Sequence, residues 1–300
     1  VSNPAIAVDG LTKYYGSVVG VEDLSFQVEQ GEVYGFLGAN GAGKTTTIRL
    51  LMDLLRPVRG RATVLGIDCH AQSLRARSQI GYLPGELPIY PDLTADGYLH
   101  YLAQVGGRPA PRSYLEELLR RFDVSGVDLK RRLRDQSHGM KQKIGIIQAL
   151  MCRAPVLILD EPTAGLDPLM VQAFRDTLAA LRQQGGTTVL LSSHILSEVE
   201  ATCDRIGLIR GGRMVATGTI DELKRSASRR VTVEFSIPVN GSMRWPPGVT
   251  AVPQGPTRLV LDVTGPLGPV VLALTALPVH DMQVEEFKLE DFVARYYQER

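Results

Sequence analysis

Short apolar runs with almost no polar interruption recur through residues 1–225, and several of them end in glycine or acid. Val33-Tyr34-Gly35-Phe36-Leu37, Val156-Leu157-Ile158-Leu159 and Thr187 to Leu191 have this form. Unbroken apolar runs belong to strands covered on both faces, so these predict the inner strands of a sheet. Between them the period lengthens. Thr45 to Leu55 has helical character and stops at Pro57. From Pro88 to Lys143 the apolar residues Tyr98, Leu99, Leu102, Leu115, Leu118, Leu119 and Phe122 fall at helical spacings and predict a helical insertion. Strands alternating with helices argue for α/β architecture.

The texture changes near Ser226. Arg225-Ser226-Ala227-Ser228-Arg229-Arg230 reads as a hinge or an exposed loop, and the tail beyond it is rich in Pro and Gly. Val231 to Phe235 and Leu259 to Val263 predict strands, Gly268 to Leu277 a helix, Met282 to Phe287 a strand and Leu289 to Tyr297 a last helix. The expected organisation is a main domain over residues 1–225 and a small α+β appendage over residues 226–300. No internal repeat interrupts it.

Composition narrows the function classes. At 44% hydrophobic and 22% charged, this is ordinary globular material. The 33 basic residues are balanced by 32 acidic ones, so no nucleic-acid partner is expected. No apolar run approaches the roughly 18 residues needed to span a bilayer. The start, VSNPAIAVDG, lacks the basic-then-apolar layout of a secretory signal. Cys69, Cys152 and Cys203 are scattered without metal-ligand spacing, which suits a reducing compartment. Cytosolic exposure is expected, with attachment to a membrane protein left open.

The chemistry begins after the first inner strand. Gly38-Ala39-Asn40-Gly41-Ala42-Gly43-Lys44-Thr45 matches G-x-x-x-x-G-K-[ST] between a predicted strand and a predicted helix. Its glycines let the backbone curl so that successive N–H groups point at phosphate oxygens, and the helix adds its positive N-terminal end. Lys44 is expected to reach the β- and γ-phosphates, the Thr45 hydroxyl to ligate Mg²⁺, and Thr46 to border the same nucleotide site. A merely turning loop is the alternative, and the flanking elements argue against it.

A second strand ends in Asp160-Glu161. Ligands of open α/β sheets gather at the carboxyl ends of strands, so these acids can meet the phosphate loop. Alternation along a strand aims neighbours differently. Asp160 is therefore assigned to the Mg²⁺ shell and Glu161 to polarising or deprotonating the attacking water.

Three further segments select among phosphate-loop enzymes: Gln136-Ser137-His138-Gly139-Met140-Lys141-Gln142-Lys143, Pro162-Thr163-Ala164-Gly165-Leu166-Asp167-Pro168 and Leu191-Ser192-Ser193-His194. Their order resembles the nucleotide-binding domain of ABC transporters over roughly residues 5–225. That resemblance implies a P-loop NTPase core with an antiparallel β edge and a helical insertion. It implies ATP hydrolysis with Mg²⁺, Tyr15 stacked on the adenine, and His194 as the switch histidine at the γ-phosphate. A Tyr15 buried beside a strand is the plain alternative. Ser137 and Gly139 would bind nucleotide held by a second copy of the chain, and Asp167 would touch that copy.

Two positions depart from the family pattern. Its signature is usually Leu-Ser-Gly-Gly-Gln, where this chain has Gln136 to Met140 and keeps Ser137 and Gly139. The helix is expected to open near Met140. Its usual Gln after Ile80-Gly81-Tyr82-Leu83-Pro84 is Gly85, which leaves Glu86, or backbone and water, to fill that role. Both departures resemble the subgroup that powers ABC-2-type exporters, including drug and antibiotic efflux systems. The implied assembly is a homodimer at the cytoplasmic face of the membrane, held there by a separate ABC-2-type permease. Leu87 to Leu99 is a candidate contact for that permease, or plain core packing. A soluble ABC ATPase of translation or DNA repair is the competing reading. Against it stand the single cassette and the short interval from Lys44 to Asp160. Nothing in Val231 to Arg300 has catalytic spacing, so a structural or regulatory tail is expected.

Overall fold

The inner apolar runs pair side by side as parallel strands. In the computed structural model, which describes residues 3–87, 90–106, 111–184, 186–226, 228–239 and 244–285, they form the middle of a six-stranded sheet. Its order is β10 (Arg213–Thr219), β9 (Arg205–Arg210), β3 (Val33–Leu37), β8 (Thr188–Ser193), β7 (Val156–Asp160) and β6 (Ile80–Leu83). Every residue of β3, β7 and β8 is buried, as runs without alternation require. β3 pairs in parallel with β8 and β9, and β7 with β6 and β8, so all their carboxyl ends face one way.

An antiparallel sheet of β2 (Val18–Val28), β1 (Ile6–Tyr15), β4 (Arg59–Val64) and β5 (Ile67–Asp68) lies beside it. One buried core joins the two sheets: Ile6, Leu24 and Phe26 from the antiparallel sheet pack with Tyr34, Phe36 and Ile158. Phe26 stacks on both Tyr34 and Phe36, at centroid distances of 5.7 and 5.3 Å.

Helix α1 (Lys44–Leu51) is shorter than the expected Thr45 to Leu55. Asp53 takes a left-handed φ of 53°, and the amides of Met52 and Asp53 close the last turn on Ile48 and Leu50. The helix thus ends well before Pro57. After α2 (Ser73–Arg77), the insertion contains α3 (Ala95–Val105), α4 (Arg112–Arg121), α5 (Gly126–Lys130) and α6 (His138–Met151). Tyr98, Leu99, Leu118 and Phe122 are its buried apolar stripe. Helices α7 (Pro168–Gln183) and α8 (Leu196–Thr202) complete the unit.

The chain divides into two compact units, Val1–Thr217 and Gly218–Arg300. The division precedes the composition change read at 225/226. The described residues of Arg225 to Arg230 are not a loop: α9 (Ile220–Ser226) runs into that stretch and β11 (Ser228–Phe235) begins in it. Backbone pairing of Arg229 with Val263 and Arg230 with Asp262 overrides the polar composition. The second unit is a sheet ordered β12 (Val249–Pro253), β13 (Arg258–Thr264), β11, β14 (Val279–Val284), with α10 (Gly268–Leu274) supplying Val270 and Leu274 to its core. Strand β12 had no sequence signal, since it is five residues long, none of them is buried and it ends in Pro253. The helix expected over Leu289 to Tyr297 lies outside the described residues.

Candidate functional site

Three neighbouring parallel strands deliver the site. β3 ends in the Gly38–Gly43 loop, β7 ends at Asp160, and β8, which lies between them, ends just before His194. Register places Leu37 opposite Ser193 and Asp160 opposite Ser192, so the three ends stand level. This is where an open α/β sheet presents ligands.

The loop is glycine-dependent at Gly43. Its φ is 113°, and a Cβ there would lie 2.7 Å from the Gly20 carbonyl oxygen. No other residue fits that backbone without displacing β2. Gly38, Ala42 and Gly43 are buried, while Ala39, Asn40, Gly41 and Thr45 face outward and Thr46 is half-buried. A cavity of about 270 Å³ is bounded by this loop with Tyr15, Val18 and Glu161. Tyr15 is 44% exposed, which removes the plain reading of a tyrosine buried beside its strand. Its hydroxyl stands 3.5 Å from Thr46 Oγ1.

Lys44 is 5% exposed. Its Nζ donates to the carbonyl of Gly38 at 2.6 Å and of Ala39 at 3.3 Å, and pairs with Glu161 Oε1 at 3.3 Å. The other Glu161 oxygen hydrogen-bonds His194 Nδ1 at 2.6 Å. One carboxylate therefore bridges the lysine of the phosphate loop and the histidine after β8. Glu161 has φ 51°, a left-handed backbone on a residue that precedes a proline. Such residues favour extended backbone, and departures of this kind cost about 1–3 kcal/mol.

Asp160 is 1% exposed. Its Oδ1 accepts from Ser192 Oγ at 2.5 Å, and its Oδ2 is buried without a hydrogen-bond partner. A buried carboxylate oxygen with no donor is costly, and a hard cation at that point would relieve it. Thr45 and Asp160 line a common cavity of about 690 Å³ with Arg49, Tyr82, Gly85 and Glu86. Gly85 faces Asp160: a Cβ there would lie 3.2 Å from Oδ2. Burial pushes the Tyr82 hydroxyl up to about 12, and the Asp160 carboxylate adds to that shift.

Ser137 and Gly139 stand apart from this cluster. Ser137 is exposed and caps α6, its Oγ accepting from Met140 N at 3.2 Å. The helix therefore opens at His138, two residues earlier than the expected Met140. Gln136 replaces an apolar family residue without penalty, because its buried amide donates to the Asp128 carbonyl at 2.7 Å. The His138 ring lies against Gly165, where a Cβ would come within 2.5 Å of Cδ2. Asp167 is exposed and caps α7, accepting from Met170 N at 2.9 Å.

Two residues escaped the sequence reading. Ser192 holds Asp160 and also accepts the Glu161 amide at 3.0 Å. Gln142, 4% exposed, donates to the carbonyls of Glu161 at 3.2 Å and Pro162 at 2.9 Å. The one available signal was position: Gln142 lies a helical turn beyond His138, and Ser192 sits in the strand that ends just before His194.

The family model for ABC transporter proteins matches residues 21–164. The chain is 41% identical over 229 residues to the daunorubicin resistance ATP-binding protein DrrA3 of Streptomyces coeruleorubidus, covering 74% of this chain and 71% of that one. It is 37% identical over 234 residues to the bacitracin transport ATP-binding protein BcrA of Bacillus licheniformis, covering 77% and 74%. A solved ATP-binding subunit of an ABC transporter superposes with a TM-score of 0.68 at 33% identity, over 74% of this chain and 92% of that chain. A dimeric bacterial ABC transporter cassette shares the fold, with a TM-score of 0.66 at 21% identity, over 72% and 98%.

Proposed function

Because this chain belongs to the ABC transporter family of ATP-binding proteins, we propose that it hydrolyses MgATP to power export of a hydrophobic or amphipathic compound through a separate membrane subunit. The observation that carries this reading is the meeting of Lys44, Glu161 and His194 at the ends of three adjacent strands.

The phosphates lie along the loop of Gly38, Ala39, Asn40, Gly41, Ala42, Gly43 and Lys44, at the positive end of α1. Phosphate oxygens draw the Lys44 ammonium away from the Gly38 carbonyl and from Glu161. Freed of that ion pair, the Glu161 carboxylate can accept a proton from water. Tyr15 offers its exposed ring to the adenine, at the edge of the same cavity. Mg²⁺, held by the Thr45 hydroxyl and the unpartnered Asp160 oxygen, would neutralise charge on the β- and γ-phosphates. In the reaction, the oxygen of water bonds to the γ-phosphorus and the bond to the β–γ bridging oxygen breaks. The water proton passes to Glu161, which His194 holds in place.

Ser137 and Gly139 line neither of the two cavities at this site. Their exposed N-terminal end fits phosphate carried by a second copy, and a twofold pair would give each nucleotide both halves. Asp167, exposed beside Gly165, would meet that copy. Among the described residues no helix is long and apolar enough to cross a membrane. An ABC-2-type permease at the cytoplasmic face of the membrane is the partner we propose. The named relatives are a daunorubicin resistance and a bacitracin transport ATP-binding protein, which favours export over translation or repair. Of the Leu87 to Leu99 segment, Tyr90 and Tyr98 line the 690 Å³ cavity, Tyr90 being half exposed, and suit contact with that permease. Pro88 and Ile89 of that segment lie outside the described residues. For the second unit we propose a structural or regulatory role.

Glu161→Gln tests the reading. It should bind ATP with near-wild-type affinity yet lose turnover by roughly a hundredfold or more, and accumulate as an ATP-bound dimer on gel filtration. Normal steady-state hydrolysis would refute the assignment of the base.

A further inference from the structure

The base of the proposed reaction sits on an improbable piece of backbone. Glu161 is left-handed at φ 51° and is followed by Pro162, whose ring disfavours any helical conformation in the residue before it. Left to itself this peptide would relax to an extended conformation and carry the carboxylate elsewhere. It is pinned at two points. On the amino side, the Glu161 N–H donates to Ser192 Oγ at 3.0 Å. On the carboxyl side, the Glu161 carbonyl accepts from Gln142 Nε2 at 3.2 Å, and the same nitrogen donates to the Pro162 carbonyl at 2.9 Å.

Gln142 is suited to hold rather than to react. Both N–H bonds of its amide are committed to consecutive carbonyls of one turn, and it is 4% exposed on a fourteen-residue helix whose neighbouring Lys143, Ile144 and Gly145 are buried as well. It touches neither Lys44, His194 nor the phosphate loop in any hydrogen bond. The span of nineteen residues between Gln142 and Glu161 makes this a tertiary contact, formed only when α6 packs beside β7.

We propose that Gln142 is a positioning residue for hydrolysis: its amide fixes the Glu161–Pro162 turn so that the Glu161 carboxylate meets Lys44 and His194. This rests on Glu161 being the base. Catalytic groups displaced by as little as an ångström lose roughly a hundredfold in rate, whereas the nucleotide cradle is supplied by β3, α1 and the loop between them.

The test compares Gln142→Met with Glu161→Gln in the full-length chain, measuring kcat, KM and the Kd for ATP together. Methionine keeps the volume and length of glutamine and removes both donors. The expected result is a split: kcat falls by roughly tenfold to a hundredfold while KM and Kd stay within about twofold. Unchanged kcat in Gln142→Met, with Glu161→Gln inactive, would overturn the positioning role and leave the base assignment standing. Loss of ATP affinity in step with kcat would also overturn it, because that is the mark of a purely structural residue. Full turnover in Glu161→Gln would instead overturn the base assignment itself. Gln142→Glu supplies a second readout: its carboxylate repels two carbonyls and should be as slow as Gln142→Met near pH 8. Wild-type turnover in that variant would count against the proposal.

Discussion

Lys44 and Glu161 neutralise each other at 3.3 Å in a pocket where both are largely shielded from water. In the proposed reading, nucleotide entry would exchange one charged partner for another instead of adding a new one. The gain in affinity would come from replacing a single carboxylate contact and two carbonyl contacts with several phosphate oxygens. Charge-assisted hydrogen bonds contribute about 1.5–3 kcal/mol, so Lys44→Ala should weaken ATP binding by roughly tenfold to a hundredfold. Titration calorimetry with ATP would measure this, and an unaltered Kd would show that the loop does not grip phosphate through this side chain. At the same scale the sequence was most legible. The Gly38 to Thr45 motif announced a loop needing glycine at Gly43, and the structure gives the reason in the close Gly20 carbonyl. The backbone of Glu161 was not legible, because no propensity makes a glutamate before proline left-handed. Its partners Ser192 and Gln142 do that from distant parts of the chain.

Among the elements, α6 carries two functions at its first turn. Ser137 caps the helix, and in the proposed dimer the same hydroxyl faces the partner's phosphates. Substitution can separate these. Ser137→Ala removes the cap and should cost about 0.5–2 kcal/mol of stability, together with ATP-dependent dimerisation. Ser137→Asp caps as well as serine, so its melting curve should stay close to wild type. Its added negative charge next to phosphate should nevertheless abolish the ATP-bound dimer. Thermal denaturation and light scattering on both variants would check this, and a Ser137→Asp chain that still dimerises with ATP would remove Ser137 from the interface. Elements with unbroken apolar runs, β3, β7 and β8, were visible in the sequence for a physical reason: burial on both faces leaves no polar position. The first turn of α6 was read too late because Ser137 and His138 are polar and exposed, and a cap signals itself only through its hydrogen bond. Strand β12 stayed hidden, being half exposed and paired on one side alone, to β13.

Across the whole molecule, the two compact units differ in what they hold. Every residue assigned to nucleotide lies within Val1–Thr217, and the second unit closes its own core with Val231, Val233, Phe235, Leu259, Leu261, Val263 and the apolar face of α10. A chain ending at Thr219, the last residue of β10, should therefore fold cooperatively and bind ATP within about threefold of the full-length affinity. Circular dichroism melts and ATP titration would check this; a truncated chain that is unfolded or blind to ATP would mean that the units depend on one another. The sequence by itself determined the phosphate loop, the paired acids and the family, because each is written in consecutive residues whose chemistry needs no distant partner. Only the tertiary structure decided how Glu161 is held, that Gly85 faces Asp160, and where one unit gives way to the next. Those depend on contacts between residues far apart along the chain, and a contact of that kind leaves no local pattern until the strands have taken their order in the sheet.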